Sequence, residues 1–216
     1  MQENFHQDTY WTLEKASNDE FVEKKSRFIG YGFSVTTEEE ALSAIESVRA
    51  IHSDAKHHVY AYQIGEQCQC QRSCDDGEPA GTGGRPVLEA IKRSNLKNTL
   101  IIVVRYFGGV LLGAGGLTRA YSKGAIIAIT ACGIVQKIPA VSYQLLFDYV
   151  FLAKVESYLR QKNYEITNRQ FSDLISLEVL FPKYEEEQVL AELKNLTNGN
   201  LRVLLLAKDK ELARKG

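Results

Sequence analysis

The sequence predicts an α+β protein made of two domains, residues 1–139 and residues 140–216. Strand and helix signals are interspersed in the first part, which also contains two glycine-rich loops. Near Pro139 the pattern changes to strand–helix–strand–strand–helix–strand, which is the order of a ferredoxin-like domain. A chain of 216 residues is long enough for two small domains.

Composition excludes several classes of protein. A hydrophobic content of 44% and a charged content of 25% are ordinary for a globular protein in water. The apolar runs at residues 99–104 and 125–131 are far too short to span a membrane, so no membrane association is expected. The N-terminal stretch MQENFHQDTYW lacks a basic segment followed by an apolar one, which predicts no secretory signal and a cytoplasmic location.

Strands surround one helix in the first part of the chain. Residues 19–35 predict two strands, because their apolar positions are interrupted by Lys24 and Lys25. Thr36 and Glu39 have the spacing of a capping box and predict the start of a helix. Apolar and polar positions then alternate over residues 57–64, which predicts the next strand.

The centre of the chain contains two glycine-rich loops, and each is predicted to open a helix. The first, DDGEPAGTGGRP, leads to a helix that begins at Pro86 and ends near Ser94. The second follows a strand at residues 99–105 and opens a helix over residues 117–132, which Gly133 ends. Because backbone N–H groups at helix N-termini attract anions, both loops are candidate phosphate sites.

The C-terminal domain is predicted as a regular succession of elements. In this part of the chain, segments in which apolar residues recur every second residue alternate with segments in which they recur about every 3.6 residues. The first pattern is typical of strands and the second of helices. They predict strands at 142–149, 164–171, 174–181 and 201–206, and helices at 151–161 and 182–196, after a short final strand of the N-terminal domain at 134–138.

Charge is divided unevenly along the chain. Residues 85–137 contain eight Lys or Arg and one acid, a net charge of +7, whereas residues 1–84 have a net charge of −8. The whole chain has a net charge of only −1, which conceals this division. A local basic block indicates an anionic partner better than the overall charge does.

The candidate binding residues flank the two loops. Arginine can clamp a phosphate with two hydrogen bonds, and tyrosine can stack on a base. The turn of the second loop is expected to bring Arg105 and Arg119 to one anion, although an ion pair between Arg119 and an acid of the first loop is an equally good interpretation. The anion- or nucleic-acid-binding candidates are Arg85, Arg105, Tyr106, Gly108, Gly109, Gly113, Gly115, Gly116 and Arg119. The candidates for orienting an arginine or recruiting a cation are Asp76, Gly77, Glu78, Pro79, Gly81 and Thr82.

Structural interpretations compete with these assignments. The glycines can serve close packing alone, as the four-residue spacing of Ala120, Gly124 and Ala128 indicates for the second helix. The acids of the first loop, Asp75 included, are interpreted as a polar turn in preference to a cation site. The histidines at 52, 57 and 58 are interpreted as ordinary loop and strand residues.

Several enzyme and metal signatures are missing from the sequence. There is no GxxxxGK[ST] motif, and the second loop is not GxGxxG. Ser122 nearly matches the spacing of a GxSxG elbow but falls inside a predicted helix. Cys68, Cys70 and Cys74 fit neither paired CxxC zinc ligands nor a thioredoxin motif, so a reduced loop is expected there, with Cys132 in the core. We therefore expect no cofactor and no metal.

Two motifs carry a family resemblance. DDGEPAGTGGRP and VVRYFGGVLLGAGGLTRAY resemble the signature segments of the IMPACT/YigZ family, in the same order and at the same separation. The resemblance implies an N-terminal IMPACT domain similar to the second domain of a small-subunit ribosomal protein, then a ferredoxin-like domain. Eukaryotic members act in translational control, whereas the bacterial two-domain branch has no settled activity. Gly83 departs from the pattern, in which alanine is expected, and should make the loop more flexible.

The favoured function is that of a non-enzymatic cytosolic factor that binds RNA or the ribosome through the basic glycine-loop face and regulates translation. Two alternatives stay open: an enzyme that acts on a nucleotide or phosphorylated substrate at the same loops, and a protein-binding adaptor. A small deep pocket would favour the enzyme. A broad open basic face would favour RNA.

Overall fold

The structure is a computed structural model that describes residues 9–215, except for the side chains of residues 209, 214 and 215. The chain forms two compact units, one made mainly of Tyr10–Gln136 and the other mainly of Lys137–Arg214. Both units mix helices with antiparallel strands. The predicted α+β class is therefore confirmed.

The N-terminal unit is built on one antiparallel sheet with the strand order β2-β3-β6-β4-β5. The central strand, β6, coincides with the strand predicted after the first loop. The elements are β1 (Tyr10–Leu13), β2 (Ser17–Glu23), β3 (Ser26–Ser34), α1 (Glu38–Ile51), β4 (His57–Ile64), β5 (Cys70–Cys74), α2 (Gly84–Arg93), β6 (Thr99–Tyr106) and α3 (Ala114–Cys132).

Helices cover both faces of this sheet. Alternate residues of β6 point to opposite sides, as the period of a strand requires. Ile101 and Val103 pack in one core with α2 and α3. Ile102 and Val104 pack in a second core with α1. The side chain at position 105 therefore belongs to the face covered by α2 and α3, and the side chain at 106 to the face covered by α1.

Helix α3 lies unusually close to the sheet. A Cβ atom placed on Gly30 would be 2.2 Å from the carbonyl oxygen of Gly124, and one placed on Gly124 would be 2.7 Å from Val103 Cγ1. Ala120 and Ala128 are also buried along the same side of the helix. The four-residue spacing of small residues thus serves close packing, as predicted, and Gly133 ends the helix with a φ of 71°.

Two local predictions in the N-terminal unit are wrong. The N-cap of α1 is Thr37, whose hydroxyl accepts from Glu40 N at 3.2 Å, and not Thr36. The Glu40 carboxylate instead accepts from Thr36 N at 2.7 Å, so the cap is shifted by one residue.

The cysteine-rich segment also differs from the expected loop. Cys70 and Cys74 lie in the edge strand β5, and both pack against the core under α1. A strand forms because alternate residues of a short edge segment can bury one face while the other stays polar. All four cysteines are free, and no cluster of His, Cys, Asp or Glu among the described residues is arranged to hold a metal ion.

The C-terminal unit has the predicted strand–helix–strand–strand–helix–strand order. Its helices and strands enclose one core that includes Val155, Leu177 and Leu193. The elements are β7 (Ile134–Phe147), a 3-10 turn (Tyr149–Phe151), α4 (Leu152–Gln161), β8 (Glu165–Phe171), β9 (Ile175–Pro182), a second 3-10 turn (Lys183–Glu185), α5 (Glu186–Leu196) and β10 (Arg202–Lys215).

One long strand replaces the two short strands predicted around Pro139. β7 runs without interruption from Ile134 to Phe147, and its described pairing with β9 begins at Ala140 opposite Pro182. Pro139 therefore precedes the paired residues, and its missing N–H removes no hydrogen bond of this ladder. None of the helices in the described residues is long and apolar enough to cross a membrane.

The contact between Gly30 and α3 gives a test of this packing. We expect Gly30→Ala to lower the free energy of unfolding by about 1–3 kcal/mol or more, because the new methyl group meets a backbone oxygen. Gly115→Ala is the control, since a Cβ there would make only an ordinary contact at 3.6 Å. The measurement is urea unfolding followed by circular dichroism. Equal stability of Gly30→Ala and wild type would contradict the close packing.

Candidate functional site

The first glycine loop is folded around a carboxylate. The side chain of Asp75 accepts hydrogen bonds from the backbone N–H groups of Gly81, Gly83 and Gly84 at 2.8, 2.9 and 2.8 Å. Burial opposes ionisation of Asp75, but these three donors outweigh it and lower the pKa of the carboxyl group. The N-terminus of α2 is thus occupied by an anion of the protein itself, and an external phosphate would have to compete with it.

Asp76 attaches the loop to the neighbouring elements. Its Oδ1 accepts from Arg49 Nη2 at 3.1 Å, and its Oδ2 accepts from the backbone N–H of His58 at 2.6 Å. The Nδ1–H of His57 donates to the Asp76 carbonyl oxygen at 2.9 Å. Gly77 and Gly81 adopt φ angles of 85° and 76°, as this tight path requires. Thr82 closes the loop by bonding to the carbonyl oxygen of Pro79.

Glu78 lies at the centre of a buried polar cluster. Its side chain is only 4% exposed, and its Oε1 accepts from Arg105 Nη1 and from the Tyr121 hydroxyl, both at 2.7 Å. Burial, together with the hydrogen bond to Glu78, raises the pKa of Tyr121, so the hydroxyl keeps its proton and donates. His57 Nε2 is 3.9 Å from the same carboxylate oxygen. The cluster joins the first loop to β4, β6 and α3.

Arg105 is an interior residue of this unit. Its side chain is 5% exposed, and its guanidinium lies 5.5 Å from the ring centre of Phe28 and 5.4 Å from that of Phe107. Its Nη2 is also 3.4 Å from the hydroxyl of Ser26. The acid of the first loop therefore pairs with Arg105, whereas Arg119 is exposed on α3. The Arg105 guanidinium is thus engaged by Glu78 inside the unit and is not free to clamp an external anion together with Arg119.

Tyr106 points to the opposite face of the sheet. Its hydroxyl donates to Asp54 Oδ1 at 3.0 Å and lies 2.9 Å from His52 Nδ1. Burial and the hydrogen bond to Asp54 raise the pKa of Tyr106. This places Tyr106 beside α1, away from the helices that follow the glycine loops.

The second glycine loop is open and partly apolar. Gly108 is packed against the β2–β3 turn, since a Cβ atom there would be 1.9 Å from the carbonyl oxygen of Lys25. Gly109 and Gly113 have φ angles of 82° and 73° with free space around them. Phe107 is 47% exposed and Leu111 82% exposed. Phe107 is thus an exposed aromatic residue at this loop, and it is not among the candidate residues predicted from the sequence.

The two helix N-termini differ. Gly113, the N-cap residue of α3, provides no side chain to bond the first N–H groups, and the first turn, which contains Gly115 and Gly116, has no acid. At α2 the N–H groups of the N-cap residue Gly83 and of the first helical residue Gly84 are bonded to Asp75. The N-terminus of α3 therefore keeps its partial positive charge available to the surroundings.

Two concave surfaces adjoin these loops. A cleft of about 220 Å³ is lined by Lys24, Arg119 and Lys123 together with Phe21, Glu23, Leu112, Gly116 and Ala120. A groove of about 490 Å³ between α2 and α3 is lined by Gly81, Arg85, Pro86, Glu89, Arg93, Thr118 and Ser122. Ser122 lies in the interior of α3, so it does not occupy a strand-to-helix elbow, in agreement with the sequence analysis.

We call the surface that carries these exposed cations the basic face; it consists of Lys24, Arg85, Arg93, Arg119 and Lys123. None of these five takes part in an ion pair among the residues that the structure describes. Helix α3 contains no acid, and α2 contains only Glu89. Lys24, Arg93 and Lys123 were not candidates from the sequence, although the four-residue spacings 85–89–93 and 119–123 place each set on one helical face.

Comparison with known proteins identifies relatives over most of the chain. Residues 24–129 match the family model described as the Impact N-terminal domain, and residues 145–200 match a domain of unknown function (DUF1949). IMPACT family member YvyE of Bacillus subtilis (strain 168) is 38% identical over 191 residues, covering 88% of this chain and 88% of that protein. IMPACT family member YigZ of Escherichia coli (strain K12) is 37% identical over 185 residues, covering 85% and 91%.

More distant relatives and one solved structure agree with this result. Protein IMPACT of Oryctolagus cuniculus is 45% identical over 64 residues, which are 28% of this chain and 20% of that protein. A crystal structure of a hypothetical protein is 33% identical with a TM-score of 0.61, covering 94% of this chain and 99% of that one.

The buried ion pair can be tested by removing one charge. We expect Glu78→Gln to lower the free energy of unfolding by about 3 kcal/mol or more, because the Arg105 guanidinium is left buried without its counter-charge. Glu20→Gln, which affects an exposed ion pair with Arg27, is the matched control and should cause no measurable change. Urea unfolding at neutral pH measures both. A Glu78→Gln protein as stable as wild type would show that the cluster does not hold the loop.

The role of Asp75 can be tested through pH. Its pKa in the folded protein is below the ordinary value of 3.8, so its stabilising contribution is present above pH 3.8 and disappears as the pH falls through the lower folded value. Asp75→Asn should lower the free energy of unfolding by about 1 kcal/mol at neutral pH, a typical effect of losing an acceptor at a helix N-terminus. Urea unfolding over a pH series should show the difference shrinking in acid. A difference that does not depend on pH would contradict the role of the charge.

Proposed function

The chain belongs to the IMPACT family, and we propose that it is a cytoplasmic factor that binds RNA, free or within the ribosome, through the basic face and so takes part in the regulation of translation. The observation that carries this proposal is the basic face itself. Its cations come from three separate elements, α2, α3 and the β2–β3 turn, and they are exposed without acidic partners among the described residues. Such a surface attracts a polyanion such as the nucleic-acid backbone.

The shape of the surface supports RNA over a small substrate. The groove is lined mainly by exposed residues of α2 and α3, and the cleft by residues of α3, β2 and the β2–β3 turn, several of which are exposed to solvent. In the enclosed polar cluster, one oxygen of Glu78 already accepts from Arg105 and from Tyr121, and both side chains of the ion pair are almost fully buried, so the cluster presents little to a substrate. These features agree better with a binding surface than with a catalytic pocket.

The second loop adds a group that suits nucleic acid. Phe107 is exposed beside Gly108 and Gly109, and an exposed aromatic ring can stack on any base without requiring a particular sequence. The translational part of the proposal rests on the family, whose eukaryotic members act in translational control.

The proposal predicts binding that depends on the exposed cations. Arg119→Ala combined with Lys123→Ala should weaken the binding of a single-stranded RNA oligonucleotide, and should flatten the slope of log affinity against log salt by about one per lost phosphate contact. Fluorescence anisotropy at several salt concentrations measures both quantities. Both side chains are exposed, and the ring contact of Lys123, whose Nζ lies 4.3 Å from the ring centre of Phe21, is a weak surface interaction, so melting temperatures should change little.

The matched control removes the same charge elsewhere. Lys154→Ala combined with Arg160→Ala changes two exposed cations of α4 in the C-terminal unit and should leave RNA affinity nearly unchanged. If wild type and the Arg119/Lys123 variant bind RNA with equal affinity, the basic face is not the RNA site. Hydrolysis of nucleotides by the wild type that is lost in this variant would favour an enzyme.

A further inference from the structure

The groove between α2 and α3 contains an acid in the middle of its cations. Glu89 lies between Arg85 and Arg93 on α2, four residues from each, so all three side chains share one face of the helix. With a rise of 1.5 Å per residue, the two arginines are separated by about 12 Å along the axis, with the carboxylate midway. The opposite wall is formed by Thr118 and Ser122 of α3.

The carboxylate of Glu89 has no ion-pair partner among the residues that the structure describes. Arg93 Nε donates to the main-chain oxygen of Glu89, at 3.3 Å, and not to its side chain. Glu89 is exposed and lines the groove. Its two oxygens are therefore available as acceptors to a ligand in the groove.

A carboxylate at this position disfavours a ligand that presents only phosphates. It would repel a purely anionic chain and partly cancel the attraction of the two arginines. It would favour a ligand that carries a hydroxyl donor between its phosphates, because a carboxylate accepts a hydrogen bond from a hydroxyl strongly. A ribonucleotide strand has this alternation, since each ribose carries a 2′-hydroxyl and each linkage a phosphate.

We propose that the groove binds a ribonucleotide strand with phosphates at Arg85 and Arg93, and that Glu89 accepts a hydrogen bond from a ribose 2′-hydroxyl and so selects RNA over DNA. This proposal rests on the proposed function and adds to it a specificity-determining residue. Ser122 offers a hydroxyl donor to a phosphate from the other wall, whereas the hydroxyl of Thr118 already donates to the Ala114 carbonyl oxygen at 3.1 Å.

The test compares ligands that differ only at the ribose. RNA, DNA and 2′-O-methyl RNA oligonucleotides of one sequence carry the same backbone charge, so the ratio of their affinities isolates the 2′-hydroxyl. We expect the wild-type protein to bind RNA about tenfold more tightly than DNA or 2′-O-methyl RNA, the effect of one hydrogen bond to a charged group. Fluorescence anisotropy at fixed salt concentration gives the three affinities.

Two substitutions separate the hydrogen bond from the charge. Glu89→Ala removes both, so it should bring the RNA-to-DNA affinity ratio close to one while DNA affinity rises slightly. Glu89→Gln removes the charge but keeps an amide oxygen that can accept, so its ratio should lie between those of wild type and Glu89→Ala. Glu39→Ala is the control, because Glu39 is an exposed acid of α1, which covers the other face of the sheet. It should keep the wild-type ratio.

Each contrary outcome identifies what has failed. If both Glu89 variants gain affinity for RNA and DNA by the same factor, the carboxylate only repels phosphate and the proposal is overturned. If wild type binds RNA, DNA and 2′-O-methyl RNA equally, but binding still depends on Arg119 and Lys123, the selection of RNA is refuted while the basic face remains a nucleic-acid site. If wild type binds none of them at low salt, the proposed function itself fails.

Discussion

The ion pair between Arg105 and Glu78 decides what each part of the candidate site can do. Arg105 is the penultimate residue of the central strand, Glu78 belongs to the first glycine loop, and the two meet at 2.7 Å with both side chains almost fully buried. A charge taken out of water is tolerated only when it is paired and further hydrogen-bonded, and Tyr121 supplies that additional bond to Glu78. The loop, the strand and α3 are thereby held in one arrangement. The Arg105 guanidinium, a predicted anion ligand, is therefore paired inside the protein. External anions can bind only to the cations at the surface.

The two helix N-termini differ in the same way: one is neutralised by a carboxylate of the protein, and the other is open to external anions. Asp75 satisfies the N–H groups at the start of α2, so the dipole of that helix stabilises the loop. The start of α3 has no side-chain acceptor, because Gly113 is its N-cap residue. Two loops that look alike in sequence therefore have different physical roles: the first is closed on its own carboxylates, and the second exposes backbone donors, Phe107 and neighbouring cations.

The sequence predicts those features that depend on residues close together in the chain, and it predicts poorly those that depend on distant residues. The strand at β6, the helix ended by Gly133 and the tight packing at Gly124 depend on local periods and on residue size, and they were predicted. The cap at Thr37 was missed by one residue because Thr36 and Thr37 are each followed by a glutamate at the capping-box distance. The inward direction of Arg105 had a signal, since it shares strand parity with Val103. Glu78 is among the residues that the sequence predicts could orient an arginine, but the sequence does not tell which arginine it pairs with, because the two are 27 residues apart and Arg119 is an equally eligible partner.

The distribution of charge sets the conditions under which the basic face can act. The chain has a net charge of −1, so at distances well beyond the Debye length, about 8 Å at physiological ionic strength, it offers a polyanion no general attraction. Attraction arises only where the ligand comes close to the cations of α2 and α3 without meeting the acids of residues 1–84, which carry the compensating charge. A surface of this kind discriminates through contact geometry more than through long-range steering. A single carboxylate among its cations can then influence selectivity strongly, because no excess of positive charge elsewhere in the chain masks its contribution.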